Sequence, residues 1–488
     1  MYMIYFFAFF AAAVAAANYF RVTLTKVIPI LFCTLSLFLY GLAFIGHLSR
    51  IDDILYIALI GSAAYFIKQK KAGENPFLPL KDGFFWGVLV LSVIIFLAVQ
   101  YRQVLEWDAY NFWAADVKYL FFTDGFAAKN CNAAPNFGDY PPAVQLILWW
   151  FMHLFGGQWR EGILFGGYIV LGASFLFHLA DSLPQNGSVP KFLSALFLGA
   201  IMLLLPGVSD TSWYRALYMD PVMGLTFGTL LCVIVDNKKE PSAFSKISIL
   251  ILLAFLTLIK SIGFLWAIFA ILFFFIWDNK TKANLLFSAA AIGVVATAYG
   301  SWTIFCKVME RTTYLTERIS TSAITQIQAL FNGTFGEDPL NVGLCKSFFS
   351  AFFSQPMHRQ WTPFIDFTPT LFLILLAVLF FILFKAGILS PKDYIKISIY
   401  AVFVTVFTYA MLLTGHLTIF IEETAYLEPI KMIEQMTRYG SPVTIGFLML
   451  ATRFAADPWK TKEKPGRTGA HKKVIPEISI MASARRDW

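Results

Sequence analysis

Two carboxylates one residue apart stand at the end of a long apolar stretch. Glu106 and Asp108 flank Trp107, shortly after the apolar residues 83–99. Acidic side chains at the mouth of a membrane helix are costly to place there, so they indicate a functional site. A carboxylate in such a position can act as a general base, and carboxylate oxygens also suit Mg²⁺ or Mn²⁺. The structural alternative is that both acids merely end a helix in water.

Further polar residues interrupt the apolar sequence as short motifs. These are Asp139-Tyr140-Pro141-Pro142, Tyr218-x-Asp220-Pro221, Leu258-x-Lys260-x-x-Gly263 and Arg438-Tyr439. A general base together with fixed cations suits a reaction in which a phosphate departs with negative charge. Each motif has a structural alternative as well. Asp139 is also typical of a turn and Asp220 of a helix N-cap, while Lys260 could snorkel and Arg438 could pair with Glu434.

The composition indicates a membrane protein. The 488 residues are 58% hydrophobic and 14% charged, against about 25% charged residues in soluble proteins. The apolar runs show no strand-like alternation and are roughly 16–22 residues long, which predicts membrane helices. In lipid, helices and closed barrels are the structures that satisfy the backbone. The predicted fold class is therefore all-α, a polytopic membrane protein.

The arrangement of basic loops predicts the topology. The apolar runs lie at 2–20, 27–46, 52–67, 83–100, 141–155, 162–180, 191–206, 218–235, 246–259, 262–277, 284–305, 369–386, 395–414 and 440–454. Short loops rich in Lys and Arg mark the cytoplasmic side. All basic loops fall on that side if the run 141–155 lies along the outer interface instead of crossing. This predicts about 13 spanning helices, with the N-terminus outside and the C-terminus inside.

One membrane domain over residues 1–455 is expected, followed by a basic cytoplasmic tail at 456–488. That domain begins with N-terminal helices at 1–100, which are followed by an outer loop with the acidic pair at 101–140. A second large outer loop lies at 306–368. The stretch 110–122 of the first loop mixes aromatic and charged residues, which predicts a second interfacial helix. Cys131, Cys306 and Cys345 fall in the predicted outer loops, so one disulfide is conceivable and its pairing stays open.

The net charge of +8 does not indicate nucleic-acid binding. The tail after residue 456 is rich in Lys and Arg, which is the positive-inside pattern of a membrane protein. The membrane itself is therefore the expected partner of these charges.

Taken in chain order, the motifs resemble the GT-C superfamily of membrane glycosyltransferases, which use polyprenyl-phosphate sugars. The resemblance runs from residue 101 to residue 455. It rests on the acidic pair, the Asp139 motif and the three later motifs. The helix that follows the Asp139 motif is part of the resemblance and ends in Leu154-Phe155-Gly156. The chain departs from the usual pattern by having three helices before the one that leads to the acidic pair. It also shows no soluble C-terminal domain, so it looks more like the members that transfer single sugars.

The resemblance implies an inverting transfer of a sugar from a polyprenyl-phosphate lipid to a glycan, lipid or protein acceptor. Asp108 or Glu106 would be the general base, and Asp220 the second acid that positions the acceptor or a metal. Glu106 and Asp108 would hold Mg²⁺ or Mn²⁺ if a metal takes part. The cations expected to bind the donor phosphate are Lys260, Arg438 and Arg215. The residues expected to position the substrate are Trp107, Tyr110, Asp139, Tyr140, His416 and Tyr439.

Two other function classes compete with this hypothesis. A flippase or transporter of lipid-linked saccharides would place charges near the midplane of the bilayer in two related halves. A ligase of lipid-linked polymers would use a diphosphate leaving group. The site is expected on the periplasmic or lumenal face, and the basic tail without a retention signal favours a bacterial inner membrane. The sequence leaves open the sugar, the acceptor, the metal requirement and the oligomeric state.

Overall fold

A computed structural model describes residues 3–126, 138–156, 158–179, 213, 216–278, 281–311, 324–357, 367–421 and 427–456. Within these ranges the chain is helical and contains no β-strand. The all-α prediction is therefore confirmed. The predicted run 191–206, Cys131, Arg215 and the basic tail lie outside the described residues.

The described part of the chain consists mainly of α-helices. In chain order they are α1 Met3–Phe20, α2 Leu24–Phe44, α3 Ile51–Lys71, α4 Gly83–Val99, α5 Ala114–Thr123, α6 Ala143–Leu154, α7 Glu161–Phe177, α8 Met219–Lys239, α9 Ala243–Thr257, α10 Gly263–Trp277, α11 Lys282–Val308, α12 Pro339–Ser354, α13 Pro369–Lys385, α14 Pro391–Thr418, α15 Pro429–Tyr439 and α16 Ser441–Ala455. A π-helical turn, Ala109–Trp113, leads directly into α5. Residues 324–331 are also helical.

Several helices have the length and composition of membrane spans. In the described part of the chain, α2, α8, α11 and α14 are long and apolar enough to cross a membrane. Shorter apolar helices accompany them, namely α1, α4, α6, α7, α9, α10, α13 and α16. An α-helix rises about 1.5 Å per residue, so about 20 apolar residues cross a hydrocarbon core. This set of helices is consistent with the predicted helical membrane protein.

The helix α8 forms the centre of the fold. Its apolar window is 94% buried, and it packs against α7, α9, α10 and most extensively α16. The corresponding windows of α11 and α14 are 22% and 33% buried. A helix that is apolar all round needs neighbours on every side, whereas exposed apolar faces suit lipid. The polar residues at the start of α8 are therefore held by a deeply buried helix.

Small residues bring α8 and α16 close together. A Cβ atom at Gly224 would lie 2.9 Å from the carbonyl oxygen of Ser441, and one at Gly228 would lie 2.6 Å from the sulfur of Met449. Glycines four residues apart let membrane helices approach to backbone contact. An ion pair between Asp236 and Arg453 joins the same two helices at their other ends. The pair of helices is therefore tightly interlocked.

The helix α6 is covered by its neighbours. Every residue of α6 except His153 is buried, and the helix packs against α2, α5 and α7. The hydroxyl of Ser36 donates to the carbonyl of Ala143 at 2.7 Å, and the N–H of Ala143 donates to the carbonyl of Leu258 at 2.9 Å. This burial suits a helix that is apolar on nearly all sides. Its predicted place along the outer membrane interface stays a prediction.

The other loop predictions hold in part. The stretch 110–122 is helical as expected, with Val117 buried and Phe122 exposed. The stretch 306–368 was predicted as a loop, yet it contains α12, whose apolar face packs against α13, α14 and α15. Its phenylalanines have helical spacing, but they do not form the long apolar run by which the other helices were predicted. Cys306 and Cys345 are free thiols, so they do not form a disulfide with each other.

Candidate functional site

Four charged side chains from four separate segments meet in one network. The Nε atom of Arg438 donates to Asp220 at 3.0 Å, and its Nη1 atom forms an ion pair with Asp108. The ammonium group of Lys260 lies 2.8 and 3.1 Å from the two carboxylate oxygens of Asp220. These residues are up to 330 positions apart in the chain, from Asp108 to Arg438. The fold thus brings together one residue from each of four motifs.

Asp220 enters the network from the first turn of α8. The N-cap of this helix is Tyr218, whose side chain makes no capping hydrogen bond, and Asp220 lies inside the helix. The carboxylate of Asp220 accepts hydrogen bonds from Lys260 and Arg438. The N-cap interpretation of Asp220 is therefore wrong. Its position still benefits from the helix, because the N-terminus of a helix favours negative charge.

Lys260 is positioned by a tight turn between α9 and α10. The N–H of Gly263 donates to the carbonyl of Lys260 at 2.7 Å. A Cβ atom at Gly263 would lie 2.1 Å from the carbonyl oxygen of Leu256, so glycine is required for this close turn. The side chain of Lys260 is 8% exposed. It points to Asp220 and not to solvent, so the snorkelling interpretation is also wrong.

Arg438 lies in the last turn of α15, a short amphipathic helix that the sequence analysis missed. Met432, Ile433 and Met436 are buried along one face, at helical spacing. On the other face Lys431 pairs with Glu434 at 3.2 Å, and both side chains are exposed. Arg438 therefore does not pair with Glu434. The signal that could have found α15 is its strong separation of apolar and charged residues over three turns.

Aromatic rings cover the two cations. The guanidinium carbon of Arg438 is 3.9 Å from the ring centroid of Tyr218, and the ammonium of Lys260 is 4.4 Å from that of Tyr439. A cation over an aromatic face is attracted by the ring, and more so where water is excluded. Tyr218 was part of a motif but was not predicted as a site residue. Its carbonyl accepts a hydrogen bond from the hydroxyl of Tyr168, which fixes the start of α8.

Tyr140 borders the network from the loop before α6. Its ring stacks on Trp113 with centroids 4.9 Å apart. Burial raises the pKa of Tyr140 well above its usual range, the neighbouring Tyr439 and Asp108 act in the same direction, and the cation of Arg438 opposes them. The phenol therefore stays protonated at neutral pH and remains able to donate a hydrogen bond beside Asp108 and Arg438.

The network is neutral overall and is closed on one side. Two carboxylates balance two cations, so placing the group in an apolar interior costs less than placing any single charge. Asp220 is fully buried, Arg438 is 9% exposed and Asp108 is 17% exposed. The accessible member is thus Asp108. A molecule that reaches this network meets the carboxylate of Asp108 before it meets the others.

The residues next to Asp108 form an open edge. Glu106 is half-buried, and its carboxylate makes no hydrogen bond or ion pair with another described residue. Its backbone carbonyl accepts from the N–H of Tyr110 at 2.9 Å. The side chains of Trp107 and Tyr110 are 63% and 67% exposed. Two aromatic faces and one further carboxylate are therefore available beside the network.

His416 and Asp139 belong to the surroundings of the network. Arg215 lies outside the described residues. His416 is buried between Phe348 and Phe420, and Phe420 in turn stacks on Tyr439. Asp139 contributes its backbone carbonyl, which accepts from Trp302 at 2.7 Å. His416 therefore approaches the network through an intervening ring, and Asp139 joins its loop to α11.

The carboxylates near this network are a sparse set of metal ligands. Among the residues that the structure describes, no three His, Cys, Asp or Glu side chains gather at one point. Asp108 already lies against the guanidinium of Arg438, and a neighbouring cation disfavours a divalent ion. Glu106 and Asp108 would have to share such an ion with substrate oxygens. The described residues therefore do not form a complete metal site by themselves.

Comparison with protein-family models, curated proteins and solved structures finds no match to this chain. The resemblance to the GT-C superfamily thus rests on the motifs and their order. The described structure defines a helical protein with apolar helices of membrane-spanning length. A neutral, largely buried network of two acids and two cations lies where α8, α15, the turn between α9 and α10 and the segment before the π-helix meet.

Proposed function

We propose that this chain is a multi-pass membrane enzyme that transfers a sugar from a polyprenyl-phosphate donor to an acceptor, with inversion at the anomeric carbon. We further propose a GT-C-like fold of about 13 spanning helices in a bacterial inner membrane, with the site facing the periplasm. The observation that carries the proposal is the convergence of Asp108, Asp220, Lys260 and Arg438 from separate motifs. A base beside fixed cations is what the departure of a phosphate requires.

Asp108 is the proposed general base because it is the most exposed member of the network. In the reaction its carboxylate takes the proton of an acceptor hydroxyl. The acceptor oxygen then forms a bond to the anomeric carbon as the bond between that carbon and the phosphate oxygen breaks. The electron pair of the broken bond leaves with the polyprenyl phosphate. The alternative base is Glu106, which is half-buried and lies two positions before Asp108 in the chain.

Lys260 and Arg438 are the proposed partners of the departing phosphate. Both are neutralised by Asp220, and Arg438 also by Asp108. A donor phosphate at Arg438 would therefore compete with Asp108 for the guanidinium. We propose that this competition releases Asp108, so that the base becomes free when the donor is bound. A carboxylate released into a poorly solvated site is a stronger base than one held in an ion pair.

Asp220 is proposed as a positioning residue. It is fully buried behind the two cations, with hydrogen bonds to both. It would orient Lys260 and Arg438 toward the substrate without contacting it. Trp107 and Tyr110 are proposed to stack on a sugar ring, because both present exposed aromatic faces next to Asp108.

The proposal is tested by donor turnover with purified protein in detergent. Release of polyprenyl phosphate is measured from a panel of polyprenyl-phosphate sugars in the presence of crude lipid acceptors. Removal of a general base is expected to slow turnover by about 10²–10⁴-fold, so Asp108→Asn should lose most activity. The control is Asp53→Asn, an exposed carboxylate that pairs with Arg50 on the surface, and it should retain wild-type turnover.

Three results would count against the proposal. Equal turnover by Asp108→Asn and wild type would exclude Asp108 as the base, and loss in Glu106→Gln would then move that role to Glu106. A strict dependence of activity on added Mg²⁺ or Mn²⁺ would contradict the metal-free step. No turnover of any monophosphate donor, with intact binding of a lipid-linked saccharide, would favour the flippase or ligase.

A further inference from the structure

A large apolar cavity lies between helices α1, α2, α4, α6 and α7. Its volume is about 1340 Å³, whereas pockets for drug-sized ligands measure about 300–1,000 Å³. Phe, Leu, Val and Ile side chains make up most of its lining, and the four residues of the charge network do not line it. The cavity is therefore a separate feature, suited to a molecule that is larger and more apolar than a sugar.

The shape of the cavity is elongated along α4. Its lining follows that helix from Phe85 to Gln100, which corresponds to about 22 Å at the α-helical rise. That is most of the roughly 30 Å hydrocarbon thickness of a bilayer. The hydroxyls of Ser92 and Ser174 donate to helix carbonyls at 2.9 and 2.6 Å. The interior therefore offers apolar surface and little hydrogen bonding, as a hydrocarbon chain requires.

The mouth of the cavity carries positive charge. Arg102 and Arg160 belong to its rim, together with Glu161. The guanidinium of Arg102 lies 4.9 Å from the ring centroid of Phe165, and Arg160 is exposed. Glu161 accepts from the N–H of Val104 at 2.7 Å, so its carboxylate is used to fasten the rim. Two arginines against one carboxylate leave net positive charge, and the planar guanidinium is suited to phosphate oxygens.

The cavity is also open at the side. Val93, Leu97 and Phe155 line it and are 52%, 61% and 54% exposed. Large apolar side chains with this exposure are unfavourable in water, but they suit contact with lipid. A lipid chain can therefore enter laterally past α4 while its headgroup remains at the rim.

We propose that this cavity holds the hydrocarbon chain of a lipid whose phosphate headgroup is bound by Arg102 and Arg160. A polyprenyl phosphate and a bilayer phospholipid share this chemistry. The rim residue Leu105 directly precedes Glu106, so the bound headgroup lies next to the acidic pair. That the lipid is the sugar carrier, held at the rim before or after its phosphate meets Lys260 and Arg438, rests on the function proposed above, whereas the binding of a phosphate-headed lipid does not.

The test is photo-crosslinking of the full-length protein in micelles of an uncharged maltoside detergent, which carries no phosphate. Three probes carry a photoreactive group in the chain: polyprenyl phosphate, phosphatidylglycerol and diacylglycerol, which lacks the phosphate. Crosslinks of the two phosphate probes should map by mass spectrometry to α4 and α7. The double variant Arg102→Gln/Arg160→Gln should weaken their binding about tenfold or more, because it removes charged hydrogen bonds. Arg50→Gln, a surface arginine, is the matched control and should bind as wild type.

The second variant, Ser92→Phe, fills the cavity and should abolish labelling there by every probe. Binding of polyprenyl phosphate at least about tenfold tighter than phosphatidylglycerol would identify the carrier lipid, and equal binding would identify a bilayer phospholipid. Labelling by diacylglycerol as strong as by the phosphates, or wild-type affinity of the double variant, would overturn the proposal. Asp108→Asn should lose sugar transfer and keep lipid labelling, so failure of the proposed function is distinguishable from failure of the lipid site.

Discussion

The ion pair between Asp220 and Lys260 provides the sharpest test of the network. Replacing Asp220 with Asn leaves two cations facing one carboxylate, and replacing Lys260 with Met leaves two carboxylates facing one cation. Each single change therefore leaves one unbalanced charge in a largely buried site. Removing one partner of a buried pair typically costs about 3–5 kcal/mol. We expect losses of that size in the free energy of unfolding for each single variant.

The double variant Asp220→Asn/Lys260→Met restores neutrality, because Arg438 and Asp108 still balance each other. Its loss should be smaller than the sum of the two single losses by about 2 kcal/mol or more. Unfolding of the purified proteins in mixed micelles, followed by circular dichroism as denaturing detergent increases, measures the three variants against wild type. The difference between the sum and the double variant is the coupling energy of the pair.

A matched pair on the surface serves as the control. Lys431 and Glu434 are 3.2 Å apart, but both side chains are about half exposed. Helical surface pairs of this kind contribute about 0.2–0.5 kcal/mol, so the cycle Lys431→Met/Glu434→Gln should show a coupling in that range. A coupling between Asp220 and Lys260 no larger than the control would refute the reasoning. It would mean that water or local movement compensates the unbalanced charges.

Three further predictions address pH dependence, backbone geometry and sugar contact. Burial raises the pKa of Asp116, a half-buried residue of α5, from 3.8 to about 7, and Arg311 opposes this shift. The folded protein therefore binds this proton more tightly than the unfolded chain, so the free energy of unfolding should fall as the pH rises from 3.8 to about 7 and level off above that. Asp116→Asn should lose this pH dependence and be more stable than wild type by up to about 4 kcal/mol at pH 8, measured by unfolding across pH. Gly263→Ala should lower the melting temperature strongly, because the added Cβ atom would collide with a backbone oxygen. Gly293→Ala is the control: the added Cβ atom has open space around it, so this variant should be neutral or stabilising. Trp107→Ala should raise the KM for the sugar donor with little effect on kcat, and an unchanged KM would exclude stacking on the substrate.

The helical character of the fold followed from composition, because long apolar runs in lipid leave the backbone few alternatives. The helices α12 and α15 were not predicted, because neither contains a long apolar run. The helix α6 is short and apolar all round, so its burial depends on neighbours that the sequence does not show. The helix α15 is short and half polar, so it resembles a loop until its apolar face finds a surface to pack on.

The candidate site was also predicted only in part. Residue types and motif order predicted Asp108, Asp220, Lys260 and Arg438 as site residues. Their mutual pairing could not be predicted, because contacts between residues 108 and 438 depend on how helices far apart in the chain pack together. The structural alternatives for Asp220, Lys260 and Arg438 were each local interactions, and the long-range contacts replaced all of them. The roles of these residues in catalysis stay predictions.

The interlocking of α8 with α16 has a mechanical consequence for the site. Asp220 lies in the first turn of α8, and Arg438 lies in the last turn of α15, which runs directly into α16. Ion pairs join α8 to α15 through Asp220 and to α16 through Asp236. The glycine contacts hold α8 and α16 close together, so we expect Asp220 and Arg438 to move together. Asp108 belongs to a different segment, and its contact with Arg438 joins that segment to the helix pair. We therefore expect the site to open at the Asp108–Arg438 contact when a substrate enters.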